Sequence, residues 1–373
     1  MKRIRIVFGV NDFLVGGMQR QFAEQLKFYD RTKFDIHLIT LFHFPGKPTL
    51  YDALPPDLPV HRLRFRGFID LESWLQLYRL LRDLKPDIVV SSLFFGNTVF
   101  RVLKPLVGYV SIAREHNTYV DKPLFQRLVD RMLSRVSYVI VAVSNTVAEF
   151  TSLQEGISRE RFFVIHNGID VQEMRDRLQR LPPRSALCRE FDLRSEDRVF
   201  VNVARLTAQK NHRLLIDGFA LFHAAHPGYK LAIVGDGSLR AKLEAHASDA
   251  GVARAVIFFG HRDDVWKFYK LAEAFVSASD IEGFSNAYLE ALAAGVPLIA
   301  TRTAGTDEIL EDGVNGFSIG RASPEGVAEA LNAFDAAAAE RLRAGAVGSA
   351  ERFDIRTTVG AYAALFERSI AQR

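Results

Sequence analysis

The chain of 373 residues is long enough for two domains of ordinary size. Its composition, 48% hydrophobic and 25% charged, is typical of a globular protein, and no run of eighteen apolar residues predicts a membrane-spanning helix. Cys188 is the only cysteine, which excludes an intrachain disulfide and a thiolate metal site, so we expect a cytoplasmic protein.

The excess positive charge lies in the first half of the chain. Residues 1–175 carry 24 Lys and Arg against 18 Asp and Glu, whereas residues 176–373 carry 24 against 26. A basic half is typical of proteins that meet nucleic acid, an anionic membrane surface or an anionic substrate. Because no nucleic-acid motif is present, we favour the last two and expect no nucleic-acid partner.

Strand-like and helix-like segments alternate along the chain. In the first half the predicted strands are 4–8, 34–41, 60–65, 88–91, 110–113 and 139–143, with helices at 19–29 and 71–84. The pattern restarts with strands at 199–203, 231–234, 256–259, 274–276 and 297–300. This βαβ pattern predicts the α/β class, with two parallel-sheet units rather than one large sheet. We place the boundary within 171–185, where Leu181-Pro182-Pro183 interrupts the pattern.

Gly16 and Gly17 follow the first strand and open the first helix. A glycine pair there suits the close approach of a phosphate to a helix N-terminus, but glycine pairs also simply make turns. The segment is not a Gly-x-Gly-x-x-Gly fingerprint, which weighs against a nicotinamide or flavin enzyme.

His116 comes shortly after the strand predicted at 110–113. A histidine at the carboxyl end of a strand can act near neutral pH or bond a sugar hydroxyl. A lone histidine is more often structural, so the local pattern alone leaves both interpretations open.

A basic segment follows, with Lys122, Arg127, Arg131 and Arg135. The last three are four residues apart and form one stripe of a predicted helix, while apolar residues occupy its other faces. A basic amphipathic helix is typical of membrane-surface attachment. The alternative is an ordinary sheet-covering helix with a solvated basic face.

Two cations, Arg205 and Lys210, follow the first strand of the second half. They could clamp the two phosphates of a diphosphate, Arg205 by its planar fork and Lys210 as a point charge, or they could be solvated loop residues. The loops at Gly235 and Arg262 follow the next two strands and are expected at the same edge of the sheet.

Residues 279–297 contain two carboxylates, Glu282 and Glu290, around the start of a predicted helix. The loop places Gly283 where a parallel strand ends and a helix begins, and a helix N-terminus offers free N–H groups to a phosphate. Carboxylates suit sugar hydroxyls, because an ionised carboxylate accepts several O–H hydrogen bonds. The alternative is that both are surface residues, although Glu290 lies among apolar neighbours.

Together these residues resemble the retaining glycosyltransferases of family 4, which have the GT-B fold. The resemblance covers nearly the whole chain and is specific in one combination, Glu282 and Glu290 with Arg205 and Lys210 upstream. Gly16-Gly17, His116, 165–170, 234–237 and 312–316 also carry it. One departure is Gln19, where many relatives have an acidic residue.

The resemblance implies two Rossmann-like α/β domains that face each other across a cleft. Residues 1–175 would bind the acceptor, and residues 176–357 would bind the nucleotide-sugar donor. A C-terminal helix at about 358–373 would pack back on the first domain.

The same resemblance implies a role for each candidate residue. At the diphosphate, Arg205 and Lys210 would neutralise charge together with the backbone N–H groups of Phe284, Ser285 and Asn286. Gly16, Gly17, Gly235 and Gly283 would complete the donor site.

At the other end of the donor, Glu290 would bond the ribose and Glu282 the transferred sugar. His116 would close over that sugar, and the loop at Arg262 would meet the base. The catalytic set is therefore His116, Glu282, Arg205 and Lys210.

The implied reaction moves a hexosyl or N-acetylhexosaminyl group, with retention, to a glycan, a lipid-linked or a lipopolysaccharide-type acceptor. We expect no metal and no cofactor, and we favour UDP over GDP because UDP is the commonest donor nucleotide in such proteins. Peripheral attachment to the cytoplasmic face of an anionic membrane would suit such an acceptor. The alternatives are a sugar-nucleotide epimerase of the same fold and an inactive nucleotide- or carbohydrate-binding protein.

Overall fold

The computed structural model describes residues 3–303 and 305–372. The chain forms two compact units, the first containing the chain up to Gly168 together with the C-terminal segment from Ile355, and the second Ile169–Asp354. The sequence predicted that the chain leaves the first unit after residue 175 and returns to it after residue 357. Both predicted boundaries lie a few residues later in the chain than those of the structure.

The first unit is built on a parallel sheet of seven strands in the order β3-β2-β1-β4-β5-β6-β7. The strands are β1 (Ile4–Val10), β2 (Phe34–Thr40), β3 (Val60–Arg62), β4 (Ile88–Ser92), β5 (Val110–Glu115), β6 (Val139–Ala142) and β7 (Phe162–Val164). The helices between them are α1 (Gly17–Phe28), α2 (Leu71–Leu84), α3 (Phe94–Val107), α4 (Leu124–Ser134) and α5 (Asn145–Glu155). Helices cover both faces of the sheet, so all residues of β4 and β5 are buried, including the polar Ser111, Arg114 and Glu115 of β5.

The second unit repeats this design with six parallel strands in the order β10-β9-β8-β11-β12-β13. They are β8 (Arg198–Val203), β9 (Tyr229–Val234), β10 (Val256–Gly260), β11 (Ala272–Ser277), β12 (Leu298–Thr301) and β13 (Gly316–Ile319). The helices are α6 (Val171–Arg180), α7 (Arg184–Glu190), α8 (His212–Ala225), α9 (Arg240–Asp249), α10 (Trp266–Leu271), α11 (Asn286–Ala293), α12 (Pro324–Asn332) and α13 (Ala336–Glu351). The α/β class predicted from sequence is confirmed.

The last helix, α14 (Ile355–Ala371), belongs to the first unit. Its Phe366 ring packs 6.3 Å from that of Phe8 and 6.0 Å from those of Tyr29 and Phe34, measured between ring centroids. The Thr358 hydroxyl donates to the His166 carbonyl at 3.1 Å. Aromatic packing therefore anchors the C-terminal helix in the first hydrophobic core.

Within the described part of the chain, none of the helices has the length and apolar character needed to cross a lipid bilayer.

Two strands were not predicted, β7 and β13. Both are short and lie at the outer edge of their sheets, where each pairs with only one other strand among the described residues. Three or four residues give too little alternation to be distinguished from a loop.

Candidate active site

The candidate donor site lies at the carboxyl ends of the strands of the second sheet. From β8 the chain moves outward through β9 and β10 and then returns to β11 on the other side of β8. The loops after β8 and β11 therefore flank the point where the strand order reverses, which is where open α/β sheets bind ligands. These two loops carry Arg205, Lys210 and Glu282.

Lys210 and Glu282 form an ion pair between the two loops. The Lys210 ammonium lies 2.5 Å from Glu282 Oε1, with side-chain exposures of 16% and 10%. The Ser279 hydroxyl donates to the same carboxylate oxygen at 3.0 Å. Glu282 is therefore fixed by a cation and a hydroxyl before any ligand binds, and its position is preorganised.

The backbones of the two loops are also connected. The Asp280 N–H donates to the Gln209 carbonyl at 2.9 Å, and the Asn211 amide donates to Asp280 Oδ1 at 2.9 Å. Gln209 lies in the one-turn helix Ala208–Lys210 that places Lys210 beside Glu282. These contacts fix the separation of the cationic loop and the acidic loop.

Arg205 differs from Lys210 in its surroundings. Its residue is exposed, and among the residues that the structure describes its guanidinium has no hydrogen bond or ion pair. The site therefore contains one cation that is already neutralised by a carboxylate and one that is available to an external anion. A guanidinium is suited to bidentate recognition of phosphate.

Gly235 shapes the loop that carries Arg205. Its φ of +144° is one that side-chain-bearing residues rarely adopt, and a Cβ would lie 1.9 Å from the Ala204 carbonyl oxygen. The neighbouring Leu206 N–H donates to the Asp236 carbonyl at 3.0 Å. Close packing of two loop backbones explains this glycine; its predicted contact with the donor remains a prediction.

Glu290 lies on α11 and is half-buried. The Tyr269 hydroxyl, from α10, donates to Glu290 Oε2 at 2.8 Å. Burial, with the nearby Glu290 charge, raises the pKa of Tyr269 well above its ordinary value, so this phenol stays a donor. The hydrogen bond sets the direction of the Glu290 carboxylate.

Gly283, Phe284, Ser285 and Asn286 lie at the N-terminus of α11, where the sequence placed them. Ser285 is the N-cap residue, and its side chain does not cap the helix. The Gly305 N–H donates to the Glu282 carbonyl at 2.9 Å, and Phe284 packs edge-on to Phe353 at 5.6 Å. Gly305 and Phe353 thus hold the start of α11 in place. The N–H groups and the dipole of its first turn suit an anion.

Arg262 follows β10 and is already paired. Its guanidinium donates to the two carboxylate oxygens of Asp264 at 2.8 and 2.7 Å. It also lies over the rings of Phe191 and Phe268, 5.6 and 5.9 Å from their centroids. A ligand near this loop would meet its backbone more readily than this side chain.

His116 belongs to the first unit and follows β5 directly. Its Nε2 lies 3.3 Å from the Ser92 hydroxyl at the end of β4. Loss of hydration, and to a lesser degree the Arg114 charge, hold the pKa of His116 well below its usual value. The imidazole is therefore neutral at pH 7, suited to hydrogen bonding with a sugar hydroxyl.

Gly16 and Gly17 begin α1, with Gly16 as N-cap residue. A Cβ on Gly16 would lie 2.6 Å from Gln19 Oε1, and Gln19 Nε2 donates to Asp12 Oδ1 at 3.3 Å. The residue that departs from the family pattern, Gln19, is therefore paired with a carboxylate in the loop before the helix.

The predicted contact of Lys122 with a membrane or an acceptor does not agree with its position in the structure. Lys122 precedes α4, is only 6% exposed, and pairs with Asp130 at 2.6 Å and with Glu155. A cation surrounded by buried carboxylates cannot meet a membrane or an acceptor. Helical spacing gave no indication of this, because Lys122 lies outside the helix.

The α4 surface differs from the predicted basic stripe in a second way. Arg131 and Arg135 are exposed, but Arg127 is half-buried and donates to the Lys122 carbonyl at 2.7 Å. Beside them lies what we call the α4 apolar face, formed by four side chains that are 56–69% exposed: Leu124, Phe125, Leu128 and Met132. The exposed side of α4 is thus apolar with a basic border.

Two family models match this chain. Glycosyl transferases group 1 matches residues 184–345, and Glycosyltransferase Family 4 matches residues 15–173. The chain belongs to glycosyltransferase family 4. The predicted family is confirmed.

Solved structures support the fold of this glycosyltransferase. Anabaena HepE in complex with UDP has a TM-score of 0.84 and 19% identity, over 98% of this chain and 100% of that one. The predicted GT-B fold is confirmed.

Among curated relatives, UDP-Gal:alpha-D-GlcNAc-diphosphoundecaprenol alpha-1,3-galactosyltransferase of Escherichia coli is 24% identical over 82% of this chain and 81% of its own. In several other curated relatives the match covers less than half of the relative. The lipopolysaccharide core biosynthesis glycosyltransferase LpsE of Rhizobium meliloti is 32% identical over 38% of this chain and 41% of its own.

Sequence reasoning missed two residues that support the site of this glycosyltransferase, Ser279 and Tyr269. Ser279 fixes Glu282, and Tyr269 fixes Glu290. Ser279 could have been suspected because it follows a strand by two residues. No sequence pattern indicated Tyr269, because it lies in the helix before β11 and not in a loop that follows a strand.

Proposed function

We propose that this glycosyltransferase moves a hexosyl or N-acetylhexosaminyl group from a UDP-sugar to a glycan, lipid-linked or lipopolysaccharide-type acceptor. The donor half of this proposal rests on the Lys210–Glu282 ion pair and on Arg205 in the loop after β8, an exposed residue whose guanidinium has no partner within the described part of the chain. Relatives that use a UDP-sugar or act in lipopolysaccharide synthesis support the choice of donor and acceptor.

The cations would act on the leaving group. Arg205 would bind the diphosphate through its guanidinium, and the α11 N-terminus would add N–H groups and the positive end of its dipole. As the bond from the sugar to the diphosphate breaks, Lys210 would move from Glu282 toward the growing negative charge. That exchange would release the Glu282 carboxylate to accept hydrogen bonds from the transferred sugar.

Glu290 would bind the ribose hydroxyls. Its Oε2 already accepts from Tyr269, which leaves the carboxylate oriented by the protein rather than by the ligand. His116, neutral at pH 7, would donate or accept one hydrogen bond with a hydroxyl of the transferred sugar.

We propose retention of configuration and independence from metal. Two protein cations and a helix N-terminus supply positive charge where a metal would otherwise be needed. A donor phosphate oxygen would accept the acceptor's proton as the acceptor attacks from the face that the diphosphate leaves.

A screen of UDP- and GDP-linked sugars, with and without Mg²⁺, tests this function. Ligand at a hundred times its dissociation constant should stabilise the protein by roughly 2.7 kcal/mol, which a thermal shift detects. We expect a metal-independent shift with UDP-sugars and a product whose anomeric configuration, read by NMR, matches the donor. An inverted product refutes retention, a sugar changed without an acceptor indicates an epimerase, and no shift with any nucleotide refutes the donor assignment.

The α4 apolar face supports attachment to an anionic membrane as the source of a lipid-linked acceptor. Side chains such as Leu124 and Phe125 are exposed beside Arg131 and Arg135, a combination that favours the interface of an anionic bilayer.

Replacing Phe125 and Leu128 with serine should lower the affinity for vesicles containing anionic lipid, because both apolar insertion and helix orientation are lost. Each exposed side chain should contribute about 1.5 kcal/mol, so we expect a fall of roughly 100-fold in a sedimentation assay. Arg131→Glu with Arg135→Glu should remove the dependence on anionic lipid.

Leu153→Ser is the matched control, since Leu153 is 85% exposed on the neighbouring α5 but outside the α4 apolar face. Equal vesicle binding by wild type and both α4 variants would contradict membrane attachment.

A further inference from the structure

Glu115, the residue directly before His116, belongs to a cluster of five ionisable side chains, here called the buried charge cluster: Arg101, Glu115, Lys122, Asp130 and Glu155. All are 2–7% exposed. They come from five different places in the first unit, α3, the end of β5, the segment before α4, α4 and the end of α5. Removing so many charges from water costs several kcal/mol per ion, so stability alone does not explain the cluster.

The contacts within the cluster form one connected network. Lys122 pairs with Asp130 at 2.6 Å and with Glu155, and Arg101 pairs with the other oxygen of Asp130. Glu115 Oε1 accepts from the Asn97 amide at 3.2 Å. The Asn97 carbonyl in turn accepts from the Arg101 guanidinium at 2.8 Å. Asn97 and Arg101, both of α3, therefore connect the residue directly before His116 to the ion pairs of α4 and α5.

The segment between β5 and α4, which begins with His116, is restrained by the cluster and by the neighbouring Gln154. The Gln154 amide, at the end of α5, donates to the carbonyls of Tyr119 and Val120 at 2.8 and 3.1 Å. Next to Gln154, Glu155 binds Lys122 from the inside. This segment would otherwise be a surface loop, and the cluster fixes it at both ends.

We propose that the buried charge cluster fixes the position of His116, and that Glu115 and Lys122 are positioning residues for sugar transfer. The proposal rests on the role of His116 in the proposed function. It adds that His116 depends on charges that do not touch the substrate.

The charges of the cluster do not balance when every group is ionised, because three carboxyl groups face two cations. Burial, together with Asp130 and Glu155, raises the pKa of Glu115 to about 8, against the opposing effect of Lys122 and Arg101. Tyr119, whose pKa burial raises to about 12, stays neutral. Burial also raises the pKa of Glu155, so the cluster retains a proton at pH 7, and Glu115 loses its own proton as the pH rises past about 8.

Nitrogen-15 NMR of the His116 imidazole, assigned with His116→Gln, tests this coupling without any substrate. We expect the wild-type signal to shift near pH 8, and we expect Glu115→Gln to abolish that shift. Glu149→Gln, an exposed carboxyl on α5, is the matched control and should leave the shift in place. A His116 signal that does not respond to pH 8, or that responds equally in Glu115→Gln, overturns the proposal.

Kinetics test the positioning role. Lys122→Met should lower kcat by 10- to 100-fold, since small displacements of a catalytic group cost that much, while the affinity for UDP is unchanged. Lys122→Arg should restore part of the rate. In a His116→Ala background Lys122→Met should cost no further rate, which distinguishes positioning from general loss of structure.

Equal losses of rate in both backgrounds would overturn the positioning role. If wild type transfers no sugar from any donor, the proposed function fails, while the NMR titration still decides whether the cluster controls His116.

Discussion

Replacing Lys210 with methionine is expected to lower kcat/KM for sugar transfer by roughly 10³-fold. One preorganised charge at a leaving group is worth about 3–4 kcal/mol, and the substitution also leaves Glu282 as an uncompensated carboxylate near the diphosphate. Because Glu282 is only 10% exposed on its side chain, little water is available to replace the lost cation. UDP affinity should fall with the rate, and both are measured with the same UDP-sugar, by calorimetry and steady-state transfer.

Lys242→Met is the control for this experiment. Lys242 is an exposed cation on α9, in the same unit, and its replacement should change transfer less than twofold. The double variant Lys210→Met with Glu282→Gln should regain part of the UDP affinity, because it removes the unpaired charge. Wild-type UDP affinity in Lys210→Met would refute the proposed diphosphate contact.

Glu282→Gln is expected to separate nucleotide binding from catalysis. The amide keeps the size of the side chain and can still accept from Ser279, but it no longer neutralises Lys210. Lys210 would then be available to the diphosphate, so UDP affinity should be unchanged or severalfold higher. Transfer should fall by about 10²- to 10³-fold, because the carboxylate that binds the transferred sugar is lost.

The exposed Glu244 on α9 provides the matched control, since Glu244→Gln removes a carboxylate of the same unit without touching the site. A Glu282→Gln variant that transfers sugar at the wild-type rate would show that Glu282 does not act on the reacting sugar. Weaker UDP binding in this variant would show instead that the carboxylate organises the cationic loop.

Much of the second unit could be predicted from local pattern. Each predicted strand there is present, and Glu282 and α11 lie where the spacing placed them. The reason is physical: in a parallel sheet every strand ends at the same edge, so loop residues that follow strands must meet there. Chain order alone therefore brought Lys210 and Glu282 to one edge.

The supporting contacts could not be predicted in this way. Tyr269 reaches Glu290 from another helix, and the Gly235 loop packs on the loop of Arg205, because of how elements pack. Lys122 was predicted to belong to a basic membrane or acceptor surface, yet Asp130 of α4 and Glu155 at the end of α5 enclose it. Periodicity describes one helix at a time and contains no information about what faces it.

The sequence by itself determined the α/β class, the two units, the family and the edge of the second sheet where the candidate donor-site residues meet. The class, the units and the edge followed from apolar periodicity and from the residue types after strands, which are local properties, and the family followed from the resemblance of the assembled motifs. Only the tertiary structure decided which charges are exposed and which are buried. Arg205 remains available while Lys122 does not, because burial and pairing depend on residues distant in the chain.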